Sequence, residues 1–166
     1  MCLAGDPSNL PALGGKGESL RLLGRFDEAL PCFEKALDKN PAHAPTWLKK
    51  ALCLESLSRL EEALVAFDKA SENDPQNSVP WTSRGLALAR MNRPQEAIRS
   101  FENALAVDAR AALPRFHLAE LLERLGRVED AAKAYQQFLG VASPAVLSAQ
   151  VQRARKRLAE LRGGRS

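Results

Sequence analysis

The sequence predicts an all-α protein, an α-solenoid of four helix-turn-helix repeats with a C-terminal capping helix, and three observations carry that prediction. Ala29, Ala63, Ala97 and Ala131 recur at a step of 34 residues, and Phe33, Phe67, Phe101 and Tyr135 recur in phase with them. A fixed period in this range marks stacked units that bury their apolar faces only against neighbours. Within a period the apolar residues fall three and four apart, as in Trp47, Ala51, Leu54 and Leu57, which makes one stripe of an amphipathic helix. Nine of the ten prolines (7, 11, 41, 45, 75, 80, 94, 114 and 144) stand at expected turns or in first helical turns, where a missing N–H does no harm.

Asp6-Pro7 stands one period before Asn40-Pro41, so residues 1–9 read as the tail of a truncated preceding repeat. Repeat 1 spans 10–43; its first helix carries Gly14, Gly15 and Gly17, each weakening it by about 1 kcal/mol relative to alanine. Pro31 lies inside its second helix and should remove one backbone bond and bend it. Repeats 2, 3 and 4 follow over 44–77, 78–111 and 112–143, each with two helices of about 13 residues. The helices of a pair are separated at Leu23-Gly24-Arg25, Ser58-Arg59, Met91-Asn92-Arg93-Pro94 and Leu125-Gly126-Arg127, where glycine or asparagine tolerates left-handed geometry. The second helices open on Asp27-Glu28, Glu61-Glu62, Glu96 and Glu129-Asp130, which suit the positive end of a helix dipole.

The last repeat departs from this pattern. Phe138 replaces the small residue of Ala36, Ala70 and Ala104, and the closing proline moves to Pro144. Ser143-Pro144 is a cap followed by proline, so a capping helix is expected over 144–162, with Leu147, Val151, Ala154, Leu158 and Leu161 on one stripe and Phe138 beneath it. Residues 163–166 are expected to form a disordered tail.

Other columns share the same phase. Leu13, Trp47, Trp81 and Arg115 occupy a bulky slot, Gly17, Ala51, Gly85 and Ala119 a small one, and Leu20, Leu54, Leu88 and Leu122 a leucine one. With the Ala-x-x-x-aromatic pair and the closing Asn40-Pro41 or Asp74-Pro75, the chain over about residues 10–143 resembles the tetratricopeptide repeat. That resemblance implies a right-handed superhelix whose inner face is lined by the first helices. The lysine of Trp47-x-x-Lys50-Ala51 is similar to a common prokaryotic form of the repeat.

Composition narrows the function classes. The chain of 166 residues is 45% hydrophobic and lacks the run of roughly 20 apolar residues that a membrane span requires. Cys2, Cys32 and Cys53 have neither C-x-x-C spacing nor a nearby histidine, so reduced cytoplasmic thiols are expected, with no metal and no cofactor. His43 and His117 lie in different repeats, and Gly14-Gly15-Lys16-Gly17 lacks the spacing of a phosphate loop, so no catalytic residues are assigned and no enzyme is expected. The net charge of +4 is uneven: residues 144–166 carry Arg153, Arg155, Lys156, Arg157, Arg162 and Arg165 against Glu160. Arg25, Arg59, Arg93 and Arg127 form a ladder in the turns, and Lys16, Lys50 and Arg84 form another, both read as sources of local ion pairs.

The resemblance places the partner-binding groove on first-helix residues: Leu48, Lys49, Leu52 and Ser56, then Thr82, Ser83, Leu86 and Arg90, then Phe116, His117, Glu120 and Arg124. This mixture suits a helix or extended segment with apolar anchors and some acidic character. The carboxylate clamp known in the family is absent, since its positions are Gly14 and Glu18, and the asparagine ladder of another branch falls on Gly15, Lys49, Ser83 and His117. The leading expectation is therefore a non-catalytic scaffold or adaptor module binding a protein or peptide. The alternatives are a regulatory or substrate-recruiting segment of a larger enzyme such as a glycosyltransferase, and nucleic-acid or anionic-membrane binding through the basic terminal helix, with nucleic acid not the favoured partner. The N-terminal repeat face offers a route to self-association.

Overall fold

The structure is a computed structural model that describes residues 10–163; the expected truncated repeat over 1–9 and the end of the expected tail, 164–166, lie outside the described residues. Helices α1 (Leu10–Leu22), α3 (Ala44–Ser56), α5 (Ser78–Arg90) and α7 (Ala112–Arg124) start 34 residues apart, as do α2 (Phe26–Lys39), α4 (Leu60–Asn73), α6 (Pro94–Val107) and α8 (Val128–Val141). A ninth helix, α9 (Ser148–Gly163), follows, and no strand occurs among the described residues. The chain divides into two compact units, residues 1–76 and 77–166.

One backbone device makes the hairpins uniform. Gly24, Ser58, Asn92 and Gly126 take φ of 73°, 59°, 57° and 72°, so the left-handed position repeats with the sequence. It stops the first helix and lets the next amide turn back: Arg25, Arg59, Arg93 and Arg127 donate their N–H to Leu20, Leu54, Leu88 and Leu122 at 2.9 Å. The same arginines cap the second helices, their carbonyls accepting from Ala29, Ala63, Ala97 and Ala131.

In the first unit α1 packs on α2, α3 on α4, and α3 also on α2. Phe33 and Phe67 are fully buried, as are Ala29, Ala51, Cys53, Ala63 and Ala70. Gly17 is small because Phe33 lies over it: a Cβ there would sit 2.7 Å from the ring. Pro31 is exposed and does not end α2, which is as long as α4.

In the second unit α5 packs on α6, α7 on α6 and α8, and α9 on α8. Phe101 is fully buried against Gly85, where a Cβ would lie 2.6 Å from its ring. Around α7 to α9 the core is aromatic: Phe116 stands 5.1 Å from Phe138 and 6.1 Å from Tyr135 between ring centres. Val151 and Ala154 close this cluster, so Phe138 packs beneath α9 as expected.

The capping helix itself begins later than Ser143-Pro144 implies. The Ser143 carbonyl accepts from both Val146 (3.1 Å) and Leu147 (2.9 Å), forming a turn before α9 starts at Ser148. Leu147 packs against the aromatic cluster, so the chain bends there. Gly163, placed in the expected tail, is the last residue of α9.

Candidate functional site

The second unit holds a cavity of about 510 Å³. Its walls come from α5 (Leu86, Ala89), α7 (His117, Glu120, Leu121, Glu123, Arg124) and α9 (Arg153, Arg157), with Phe101 and Tyr135 behind them. The amphipathic period of α7 sends Ala119 and Leu122 into the core and leaves Glu120 and Glu123 facing α9. On α9 the same rule buries Val151 and Ala154 and brings Arg153 and Arg157, four residues apart, to those carboxylates.

Each wall carboxylate is doubly engaged. Glu120 takes Arg153 at 2.8 Å on one oxygen and lies 3.3 Å from His117 Nδ1 on the other. Glu123 accepts from Arg157 on Oε1 and from the Tyr135 hydroxyl at 3.0 Å on Oε2, and Arg157 also bonds Glu160. Burial pushes the Tyr135 hydroxyl up to about 12, with the Glu120 charge adding to the shift. His117 is held between rings, 6.2 Å from Phe101 and 5.6 Å from Phe116. The cavity thus offers Leu86 as apolar surface, a fixed imidazole, and an arginine-rich rim whose carboxylates are already bonded.

Of the residues assigned from sequence, Leu86, His117, Glu120 and Arg124 line this cavity. Thr82 and Ser83 are half-buried on α5, with the Thr82 hydroxyl donating to the Ser78 carbonyl, and Arg90 is exposed at the end of α5. Phe116 is a correction: expected on the groove floor, it is 4% exposed and belongs to the aromatic core. Phe138 fills the slot of an alanine and packs against Phe116, and with Tyr135, Val151 and Ala154 it encloses the Phe116 ring. Glu123, Tyr135, Arg153 and Arg157 are not assigned by the sequence reading, although the helical spacings of three (120/123) and four (153/157) that put each pair on one face are visible in it.

The first unit carries the remaining residues. Leu48 and Leu52 are half-buried on α3, and Ser56 is exposed with its hydroxyl donating to the Leu52 carbonyl. Lys49 reaches Glu18 of α1 at 3.8 Å, and Glu18 is also held by Arg21 at 2.9 Å. That hydrogen bond and the two positive charges keep the Glu18 carboxyl below its ordinary range. Behind it, burial raises the Cys53 thiol to about 11, which keeps it protonated and poorly nucleophilic.

The turn ladder is consumed in local ion pairs, and the second ladder is bonded locally at Lys50 and Arg84 while Lys16 stays exposed. Arg25, Arg59, Arg93 and Arg127 bond the carboxylates of Glu28, Glu62, Glu96 and Asp130 at 2.6–2.9 Å. Lys50 lies 3.1 Å from Glu34 and 5.6 Å from the centre of the Trp47 ring, while Arg84 donates to the Ser100 hydroxyl at 2.8 Å. Arg115, in the slot of an aromatic, does what the indole does: Trp47 donates to the Pro41 carbonyl and Arg115 to the Ala109 carbonyl, each six residues back. No described helix is long and apolar enough to cross a membrane.

Comparison with known proteins agrees with this architecture. The chain is similar in structure to a MamA protein, at 20% identity and a TM-score of 0.79 over 93% of this chain and 82% of that one. A second MamA structure gives 22% identity and a TM-score of 0.77 over 89% and 83% of the two chains. MamA 41-end from Desulfovibrio magneticus RS-1 gives 20% and 0.74 over 81% and 76%. At such identities the likeness concerns the fold alone. No curated protein matches this chain in sequence. The tetratricopeptide repeat profile matches residues 15–78 and 82–146, and with the periodic helix pairs this places the chain in the tetratricopeptide repeat family.

Proposed function

We propose that the chain is a non-catalytic interaction module, a scaffold or adaptor element, that seats a segment of a protein partner in the α5–α7–α9 cavity. The observation that carries this reading is the cavity itself: its volume of about 510 Å³ is of the size that receives a few side chains, and it combines an apolar wall with fixed polar groups. Arg124 at its rim, among the described residues the one lining arginine with no carboxylate bonded to it, favours a segment with an acidic residue beside an apolar anchor that meets Leu86. Leu48, Lys49 and Leu52 present a similar apolar and basic mixture in the first unit. The unpaired thiols of Cys32 and Cys53 fit a reducing compartment such as the cytoplasm.

The test is affinity capture from lysate of the source cells, comparing the unaltered chain with Leu86→Asp and with Arg124→Glu, followed by mass spectrometry. Both variants change half-buried or exposed positions, so circular dichroism should be unchanged. The expected result is a specific protein retained by the unaltered chain and lost from both variants. Equal retention by all three would remove the cavity from the binding surface.

A further inference from the structure

The first unit has a second concave surface, on the outer side of α1 and α2. It is a cleft of about 720 Å³ with an apolar floor of Leu13, Leu20 and Cys32, and with Ala12, Lys16 and Lys35 around it. The same unit shows what such a surface accepts, because the repeat presents it twice. One period on, the equivalents of Ala12, Lys16 and Leu20 are Thr46, Lys50 and Leu54 of α3. There α2 packs on α3, Thr46 is 4% exposed, and Glu34 of α2 reaches Lys50 at 3.1 Å, while Leu54 is buried as Leu20 already is on α1. On α1 the corresponding Ala12 and Lys16 are exposed.

The charge of the cleft is complementary to the same kind of helix. Arg25 and Glu28 at its edge are bonded to each other at 2.6 and 2.7 Å, so Lys16 and Lys35 carry the surplus positive charge. A second copy of this chain does not suit it. At the C-terminal end the outer surface is α9, whose exposed residues include Arg155 and Lys156, and pairing two copies of the cleft would set Lys16 and Lys35 against like charge.

We propose that this cleft docks an acidic amphipathic helix from a partner protein, laid on α1 as α2 lies on α3, with a carboxylate at Lys16 in the place that Glu34 takes at Lys50. The surface is independent of the α5–α7–α9 cavity, so each can fail without the other.

The probe is a fluorescein-labelled, side-chain-cross-linked peptide with the sequence of residues 60–73, which carries Glu61, Glu62, Asp68 and Glu72 and places Asp68 in the register of Glu34. Cross-linking is needed because free helices of this length are marginal in water. Fluorescence anisotropy with the full chain should show binding that weakens at high salt, and affinity should fall by about tenfold or more in Lys16→Glu plus Lys35→Glu. Ala12→Arg, an exposed change, should block the seat, whereas Leu86→Asp should bind the peptide normally. A scrambled peptide of equal charge binding as well, undiminished binding to the double variant, or no binding would each overturn the proposal. Sedimentation showing a dimer of the unaltered chain that the double variant abolishes would overturn it in favour of a second copy.

Discussion

Replacing Ser58 with glycine should stabilise the protein, and the gain can be worked from the backbone alone. Ser58 holds φ at 59°, the only serine among the four left-handed turn residues, while Gly24 and Gly126 sit at 73° and 72° in the same position. An L-residue pays about 1–2 kcal/mol for this conformation. Glycine removes that cost but adds roughly 0.5–1 kcal/mol of unfolded-chain entropy. The net gain for Ser58→Gly is then about 0.5–1 kcal/mol. Gly24→Ala and Gly126→Ala should lose a similar amount, and theirs is a pure backbone effect because nothing lies within 4 Å of a Cβ added at either position. In a unit of this size a change of 1 kcal/mol moves the melting temperature by about 4–8 °C. Thermal and urea unfolding followed by far-ultraviolet circular dichroism would measure all three. A neutral or destabilising Ser58→Gly, or a Gly24→Ala without cost, would refute the assignment of these turns as strained stops.

Three further outcomes are expected. Phe101→Ala, at a fully buried position, should cost about 3–5 kcal/mol in urea unfolding. Gly85→Ala should cost about 1–3 kcal/mol, because its Cβ would lie 2.6 Å from the ring of fully buried Phe101, which must shift to admit it. Glu123→Gln removes the carboxylate shared by Tyr135 and Arg157; with Arg157 40% exposed the loss should be only about 1 kcal/mol, seen as faster hydrogen exchange in α9. Burial raises the Cys53 thiol to about 11 and the Tyr135 hydroxyl to about 12. Their unfolded values are about 8.5 and 10, so the contribution is complete below about pH 8.5 and is lost as pH rises toward 12. Urea midpoints measured across that range should fall, and Tyr135→Phe should flatten the upper part of the slope.

Helix limits and turns were legible in the sequence because they depend on local chemistry. A left-handed stop, an arginine at the cap and a carboxylate three residues later recur in every repeat, and the helices begin where those signals stand. The inner face was legible only in part. Leu86, His117, Glu120 and Arg124 follow from the inner face they are assigned to, but Phe116, assigned with them, is buried against Phe138 and Tyr135. That is a tertiary effect, invisible to a period. The Glu120–Arg153 and Glu123–Arg157 pairs are of the same kind: each spacing is apparent, yet only packing of Val151 and Ala154 on the aromatic core sets which faces of α7 and α9 meet.

The terminal helix shows why a charge count misleads when its geometry is unknown. Six basic side chains against one carboxylate over residues 144–166 look like an anion-binding element. Yet Arg153 and Arg157 are spent on Glu120 and Glu123, Lys156 lies 4.0 Å from Glu160, and Arg162 donates to Gln136. A helix that ends a repeat stack must cover an apolar face and also supply partners for the polar groups at its margins. Alanine and valine do the first here, and long cationic side chains reaching carboxylates on α7 do the second. The same two arginines form part of the cavity wall, so the shape of the cavity depends on ion pairs as well as on apolar packing. Binding in it should therefore respond to substitutions on α9 that leave Leu86 and His117 untouched.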